Sequence, residues 1–191
     1  MSIASHEYLF RMDADDICVR NRFQIQWEFF LENPKFDIIG GQIIEFDRKN
    51  KSKNHLRSVP QQHTQICKKL RSKNPFNHMT VFYKKSKIKE VGGYKLIKGF
   101  EDYDLWGRMI SNGSYCHNLS EVLVHARTNS DFIKRRTGLK YAINEVKFYF
   151  ETSDWSSQYR PKFFTLVIRV IIRVMPHPIV KLAYRINRSF K

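Results

Sequence analysis

Three carboxylates in four positions, Asp13, Asp15 and Asp16, follow the short apolar run Tyr8-Leu9-Phe10. The run reads as a buried strand that delivers the acids at its end. Carboxylates crowded at a strand terminus repel one another unless a cation or a donor-rich ligand sits among them. Hard oxygen ligands on a loop suit Mg²⁺ or Mn²⁺, which accept phosphate oxygens to complete their shell. An acidic turn that caps the next helix through Asp16 or Asn21 is the plainer alternative.

A second acidic group, Glu101, Asp102 and Asp104, enters the segment Tyr103-Asp104-Leu105-Trp106. A carboxylate at a helix N-terminus is held as the anion by free N–H groups and the macrodipole, which makes a positioned base for a hydroxyl proton. Acids at helix starts also serve as ordinary caps. Between the two groups lies Asn74-Pro75-Phe76-Asn77-His78-Met79-Thr80, a turn before a strand, where His78 can face a phosphate or a hydroxyl. Two acidic clusters, each at an element boundary, point to one shared site.

The elements that must position these groups follow from periodicity and punctuation. Phe23, Trp27, Phe30 and Leu31 recur at helical spacing, and Asn33-Pro34 ends that helix. Residues 37–46 read as a buried strand with a glycine bend, residues 47–59 as a polar, lysine-rich loop, and residues 60–71 as a helix through Ile66 and Leu70. A short strand over 79–83 and a basic helix over 84–91, ended by Gly92-Gly93, come next. Residues 103–111 form a helix with Leu105, Trp106, Met109 and Ile110 inward, 115–127 supply strand, and 138–150 another amphipathic helix. Strands alternate with helices, so the class is α/β with a mostly parallel or mixed sheet flanked by helices.

The chain has 191 residues, enough for one well-buried domain or a domain with a tail, and a formal net charge of +16. Eight basic residues and no acid fall between Trp155 and the end. The three cysteines, Cys18, Cys67 and Cys116, lack a C-x-x-C spacing, which argues against structural zinc and a disulfide framework and fits a reducing compartment. No basic segment followed by an apolar core opens the chain, and no uncharged apolar run approaches the roughly 20 residues of a membrane span. Lys and Arg are scattered without a nucleic-acid-binding motif, so no nucleic-acid partner is expected.

The ordered set Met12-Asp-Ala-Asp-Asp16, Asn21-Arg-Phe23, Gly40-Gly41, Asn74-Pro-Phe-Asn-His78, Gly92-Gly-Tyr94 and Glu101-Asp-Tyr-Asp-Leu-Trp106 resembles the family 2 glycosyltransferases of bacterial surface-polysaccharide synthesis. The resemblance runs from about Glu7 to Arg127 and implies a partial GT-A fold. It places a D-x-D motif on Asp13 and Asp15. These, with Asp16, would bind a nucleotide-sugar's ribose and diphosphate, the latter through Mn²⁺ or Mg²⁺. It makes Asp102 the base, with Glu101 beside it, and puts His78, Asn77 and Trp106 against substrate. The implied reaction moves a sugar from the nucleotide donor to a saccharide or lipid-linked acceptor with inversion.

Members of that family carry an N-terminal βαβα half before the D-x-D strand, and Met-Ser-Ile-Ala-Ser stands in its place here. The expectation is therefore a glycosyltransferase segment over 1–130 that lacks its nucleotide-cradling half and is catalytically silent on its own. Residues 131–191 form the basic helical remainder. There Val167, Val170, Ile171 and Val174 share one helix face, Arg169 and Arg173 another, and Ile179 to Phe190 resumes after two prolines. Such a segment either lies on an anionic membrane surface or packs on the domain with its basic residues in water. The expected location is the cytoplasm, at the inner face of the cell membrane if the first alternative holds.

Overall fold

The computed structural model describes residues 3–46, 54–128, 136–175 and 180. A six-stranded sheet runs β1–β5–β3–β6–β2, and β4 pairs with the free part of β3. Its strands are β1 (Tyr8–Phe10), β2 (Ile17–Cys18), β3 (Ile38–Phe46), β4 (His55–Arg57), β5 (Phe82–Lys84) and β6 (Cys116–Arg127). Only β3 and β6 pair in parallel; the others are antiparallel, so the sheet is mixed. The strand expected to be buried, β1, is half-buried because it lies at the edge and pairs on one side only.

Strand periodicity makes two cores from one sheet. Ile38 faces a cluster with Ile66, Leu70, Phe76, Trp106 and Met109, while Ile39 faces the other side with Phe30, Ile43, Phe82 and Val124. Helices α2 (His63–Leu70), α4 (Glu101–Ser111) and α5 (Leu139–Glu151) cover the first face, and α1 (Arg22–Glu32) the second. The short α3 (Lys85–Glu90) follows β5 directly. Phe148 of α5 and Trp155 belong to the first core, so the segment after residue 135 packs with the same interior as the acidic elements.

The glycine bend of β3 has a specific use. A Cβ at Gly40 would lie 2.2 Å from Asn118 Oδ1, and one at Gly41 2.4 Å from Leu123 Cδ1. Only glycines let β3 and β6 approach this closely across a register shift between Gly40 and Gln42. The freed backbone then holds the following turn: Gly41 N–H donates to Thr80 Oγ1, and Asn77 Nδ2 donates to Gly41 O. That turn, a 3₁₀ segment over His78–Thr80, replaces the first half of the strand expected at 79–83.

Helix α1 forms where expected, but Arg22, Gln26 and Phe30 are its buried residues, with Phe23 and Leu31 more than half exposed. Asn21 occupies the N-cap position without a side-chain capping bond. Burying a guanidinium is costly unless its donors are satisfied. Here Arg22 donates to Gln26 Oε1 and to the Arg11 carbonyl, while Gln26 donates to the carbonyls of Ile39 and Thr80. This network ties the segment after β1 to α1, β3 and the 3₁₀ turn. Within the expected lysine-rich loop, residues 47–53 lie outside the described part, and β4 occupies 55–57.

Helix α6 (Phe163–Val174) corrects the reading of its basic residues. Arg169 and Arg173 point inward to the buried Glu145 of α5, at 2.5 and 3.2 Å. Phe164, Val167, Ile168, Ile171 and Val174 are exposed instead. A buried carboxylate that needs cations outweighs the apolar stripe in setting the helix rotation. The segment expected to resume at 179–190 lies outside the described residues except for Val180.

Gly107 offers a direct check on this packing. A Cβ there would lie 2.0 Å from the Trp155 indole. Alanine is favoured over glycine in a helix by about 1 kcal/mol, yet overpacking of about 1–3 kcal/mol opposes it. Gly107→Ala is expected to lower the melting temperature and weaken the near-UV signal of the buried aromatics. A raised melting temperature would show that the indole does not sit against α4.

Candidate active site

The β1 edge carries the first acids. Past Phe10 the Arg11 N–H still bonds to the Val81 carbonyl, and the chain then turns through Asp13 to Asp16. Asp13 accepts from the Arg11 guanidinium through Oδ1, and its Oδ2 lies 2.8 Å from His78 Nε2. On the other side of the same ring, His78 Nδ1 is 3.3 Å from Asp102 Oδ2. One imidazole therefore joins the two acidic clusters, which lie far apart in sequence.

The charges follow from this contact. The His78 hydrogen bond, helped by Arg11 and opposed by burial, pulls the Asp13 carboxyl down to about 2. Burial works against the charged imidazole of His78, but hydrogen bonds to Asp102 and Asp13 outweigh it and raise its pKa. Burial likewise works to raise Asp102, and the bonds from His78, the Tyr103 N–H and Asn74 leave it lowered. All three side chains remain about a quarter to a third exposed. The arrangement is a carboxylate–imidazole–carboxylate row in which each side chain is partly exposed.

Asp102 stands in the first turn of α4, where the macrodipole favours its charge. Its Oδ1 accepts from the Tyr103 N–H at 2.9 Å, and its Oδ2 from Asn74 Nδ2 at 2.8 Å. Asn74 also accepts from the Phe76 N–H through Oδ1, so the Asn74-Pro75 turn fixes the amide that aims the carboxylate. Sequence reading passed over Asn74 as a turn residue. The signal was an amide that heads the segment containing His78.

Glu101 accepts from the Gly99 N–H and lies beside Asp102. Asp15 is exposed at the tip of the turn. Asp16 accepts from the Arg127 N–H at 2.8 Å; burial raises its pKa, and its Oδ2 is buried without a hydrogen-bond partner. Asn77 is 1% exposed and clamps Gly41, so it shapes the turn rather than meeting solvent. Trp106 is fully buried between Phe76 and Tyr83, beneath the site and lining neither cleft described below; the expected contact with substrate is not available to it.

Two clefts meet at His78, Glu101 and Asp102. One, of about 410 Å³, is completed by Arg11, Tyr83 and Tyr94. The other, of about 290 Å³, is rich in cations: Arg57, Lys73, Arg127, Arg136, Arg169 and Arg173 all line it. Such a lining suits a ligand with several anionic oxygens. Arg169 and Arg173 reach it from α6, an element that sequence reading kept apart from the site.

Among the described residues, no group of three or more His, Cys, Asp or Glu side chains is placed to enclose a metal ion. The donors fit a different arrangement. Asp15 is exposed, Asp13 is about a quarter exposed with its two oxygens on Arg11 and His78, and the buried Asp16 Oδ2 lacks a donor. An exposed carboxylate such as Asp15 suits a cation that arrives with most of its shell, such as Mg²⁺ or Mn²⁺ on a diphosphate.

No family model matches the chain. It is 34% identical over 186 residues to the amylovoran biosynthesis glycosyltransferase AmsE of Erwinia amylovora, covering 97% of this chain and 69% of that protein. It is 34% identical over 173 residues to the UDP-Gal:α-D-GlcNAc-diphosphoundecaprenol β-1,3-galactosyltransferase of Escherichia coli, covering 90% of this chain and 62% of that one. The chain thus spans about two thirds of the length of these relatives. Among solved structures, the mannosyltransferase PcManGT of Pyrobaculum calidifontis in complex with GDP-Man and Mn²⁺ superposes with a TM-score of 0.52 at 11% identity. That match covers 95% of this chain and 55% of the other, and it supports the fold alone.

The His78 row has a pH signature. A raised imidazole pKa stabilises below the ordinary value of about 6.5, and that contribution is lost as pH rises through the folded-state value. The depressed Asp13 carboxyl stabilises above its ordinary value of about 3.9, and its contribution is lost as pH falls toward about 2. Both are present between about pH 4 and 6.5. His78→Gln is expected to cost most stability to urea in that window and less at pH 9. A cost independent of pH would reduce His78 to a packing residue.

Proposed function

The chain belongs to the glycosyltransferases, and from that premise we propose that it transfers a sugar from a nucleotide-sugar donor, with inversion, to a sugar carried on a lipid diphosphate. The observation that carries this reading is the His78 imidazole joined to Asp13 on one side and Asp102 on the other. It brings a turn suited to a diphosphate and a carboxylate suited to a base into one cleft wall. Surface-polysaccharide synthesis is the process in which such a transfer belongs, as in the amylovoran relative.

In this reading Asp102 takes the proton from the acceptor hydroxyl as its oxygen attacks the sugar C1, and the bond from C1 to the diphosphate breaks on the opposite face. Asn74 and the Tyr103 N–H keep the carboxylate aimed and anionic. Mn²⁺ or Mg²⁺, held by Asp15 and Asp13, would offset the charge growing on the departing diphosphate. His78 holds Asp13 and Asp102 at fixed separation. The site develops oxocarbenium character at C1 in the manner of other glycosyl chemistry.

Two features support an anionic, lipid-borne acceptor. The cation-rich cleft adjoins Asp102 and suits a diphosphate. The helix that contributes Arg169 and Arg173 to that cleft exposes an apolar face on its other side. With Arg169 and Arg173 toward the cleft and Phe164, Ile168 and Ile171 outward, α6 offers an apolar face that suits a bilayer interface. No helix among the described residues is long and apolar enough to cross a membrane.

Turnover with a panel of nucleotide sugars and a polyprenyl-diphosphate-linked sugar, by the chain joined to an N-terminal βαβα half, tests the assignment. Asp102→Asn is expected to lower kcat by about 10² or more with little change in donor KM, and Asp15→Asn to remove most of the cation dependence of nucleoside-diphosphate binding. A larger loss from Glu101→Gln than from Asp102→Asn would move the base to Glu101, and equal activity with and without EDTA would remove the cation. Ile168→Asp with Ile171→Asp is expected to release the protein from anionic vesicles in a flotation assay. Unchanged flotation would mean that this face meets another copy or another part of the protein.

A further inference from the structure

Two of the three cysteines come together at a histidine on the far side of α2. Cys67 and His63 lie one turn apart on that helix, and Cys116 opens β6. The Cys116 backbone N–H donates to His63 Nδ1 at 3.3 Å, and the Cys116 Sγ lies 3.1 Å from the same nitrogen. An Nδ1 that accepts assigns the ring proton to Nε2, and Nε2 faces Cys67 Sγ at 3.5 Å. The Tyr115 ring stacks on His63 with centroids 4.1 Å apart and fixes its plane.

The two sulfurs differ in the way a reactive pair requires. Cys67 is half-buried, whereas Cys116 is fully buried. A hydrogen bond from Cys116, opposed by burial and reinforced by His63 and the Tyr159 hydroxyl, holds the Cys67 thiol well below its ordinary range. Burial and the neighbouring Cys67 push the Cys116 thiol up. A partly exposed thiolate thus shares the His63 ring with a neutral thiol that can resolve it.

We propose that Cys67 and Cys116 are a peroxide-sensitive thiol pair that closes to a disulfide and staples α2 to β6. The Cys67 thiolate attacks one oxygen of a hydroperoxide, the O–O bond breaks, and Cys67 becomes a sulfenic acid as hydroxide leaves. The Cys116 thiol then attacks the Cys67 sulfur, its proton leaves with the sulfenic oxygen as water, and the S–S bond forms. Two thiols are oxidised by two electrons and the peroxide is reduced by the same two. This chemistry is independent of sugar transfer. Neither the resemblance nor the relatives point to it.

Hydrogen peroxide added to the native 191-residue chain, followed by non-reducing peptide mapping, tests the pair. The expected product links Cys67 to Cys116 and leaves Cys18 as a thiol. In Cys116→Ser, dimedone should trap a sulfenic acid at Cys67. In His63→Gln, alkylation of Cys67 by iodoacetamide at pH 7 should slow about tenfold or more. Unfolding wild type in urea should erase the preference for Cys67 over Cys18, which needs no variant to fold. Oxidation of Cys18 as fast as Cys67 in the native chain, or mixed pairing of all three cysteines, would overturn the proposal.

Discussion

Two carboxylates meet on opposite sides of one imidazole, and against burial their hydrogen bonds to His78 raise its pKa. Its ring meets Asp13 Oδ2 at 2.8 Å and Asp102 Oδ2 at 3.3 Å. The position of the ring is set from below. Asn77 and Thr80, on either side of it, bond to Gly41, and Gln26 bonds to the Thr80 carbonyl. Gln26 in turn receives Arg22, whose other donor holds the Arg11 carbonyl two residues before Asp13. A buried polar network of this kind is stabilising only when each member is satisfied, so it specifies one geometry for both acidic segments.

Much of this was legible in the sequence where one rule acted alone. The two isoleucine pairs that flank Gly40-Gly41 within 37–46 marked the central strand, and the periodicity around Leu105, Trp106 and Met109 marked α4 with its buried face. Rules in competition were harder to read. In α1 the aromatic spacing pointed to one face, whereas the helix rotates so that Arg22 and Gln26 reach the backbone of neighbouring strands. Trp106 belonged to the motif that contains Asp102, but helical geometry turns it to the core. The pairing of His78 with both acids, and of Cys67 with Cys116, joins residues from separate elements and has no local signature.

Charge placement shows the same limit. Counting basic residues suggested a cationic surface on the last helices, yet Glu145 draws Arg169 and Arg173 inward. A carboxylate 1% exposed costs several kcal/mol without partners, and the two arginines of α6 are the cations that reach it. The helix therefore exposes its apolar residues and lends its cations to the cleft. One rotation links the cation-rich cleft to an outward apolar face, and the proposed lipid-borne acceptor rests on that link.

The central claim is that the Asp13–Asp15 turn and Asp102 serve one transfer. A crystal structure of the protein with a nucleotide sugar and Mn²⁺, with the metal located by its anomalous signal, tests it most directly. The expected result has the ion on Asp15 and the diphosphate, and the sugar C1 open toward Asp102 across the cleft. A nucleotide bound away from this turn, or a metal held by other residues with Asp102 remote from C1, would contradict it.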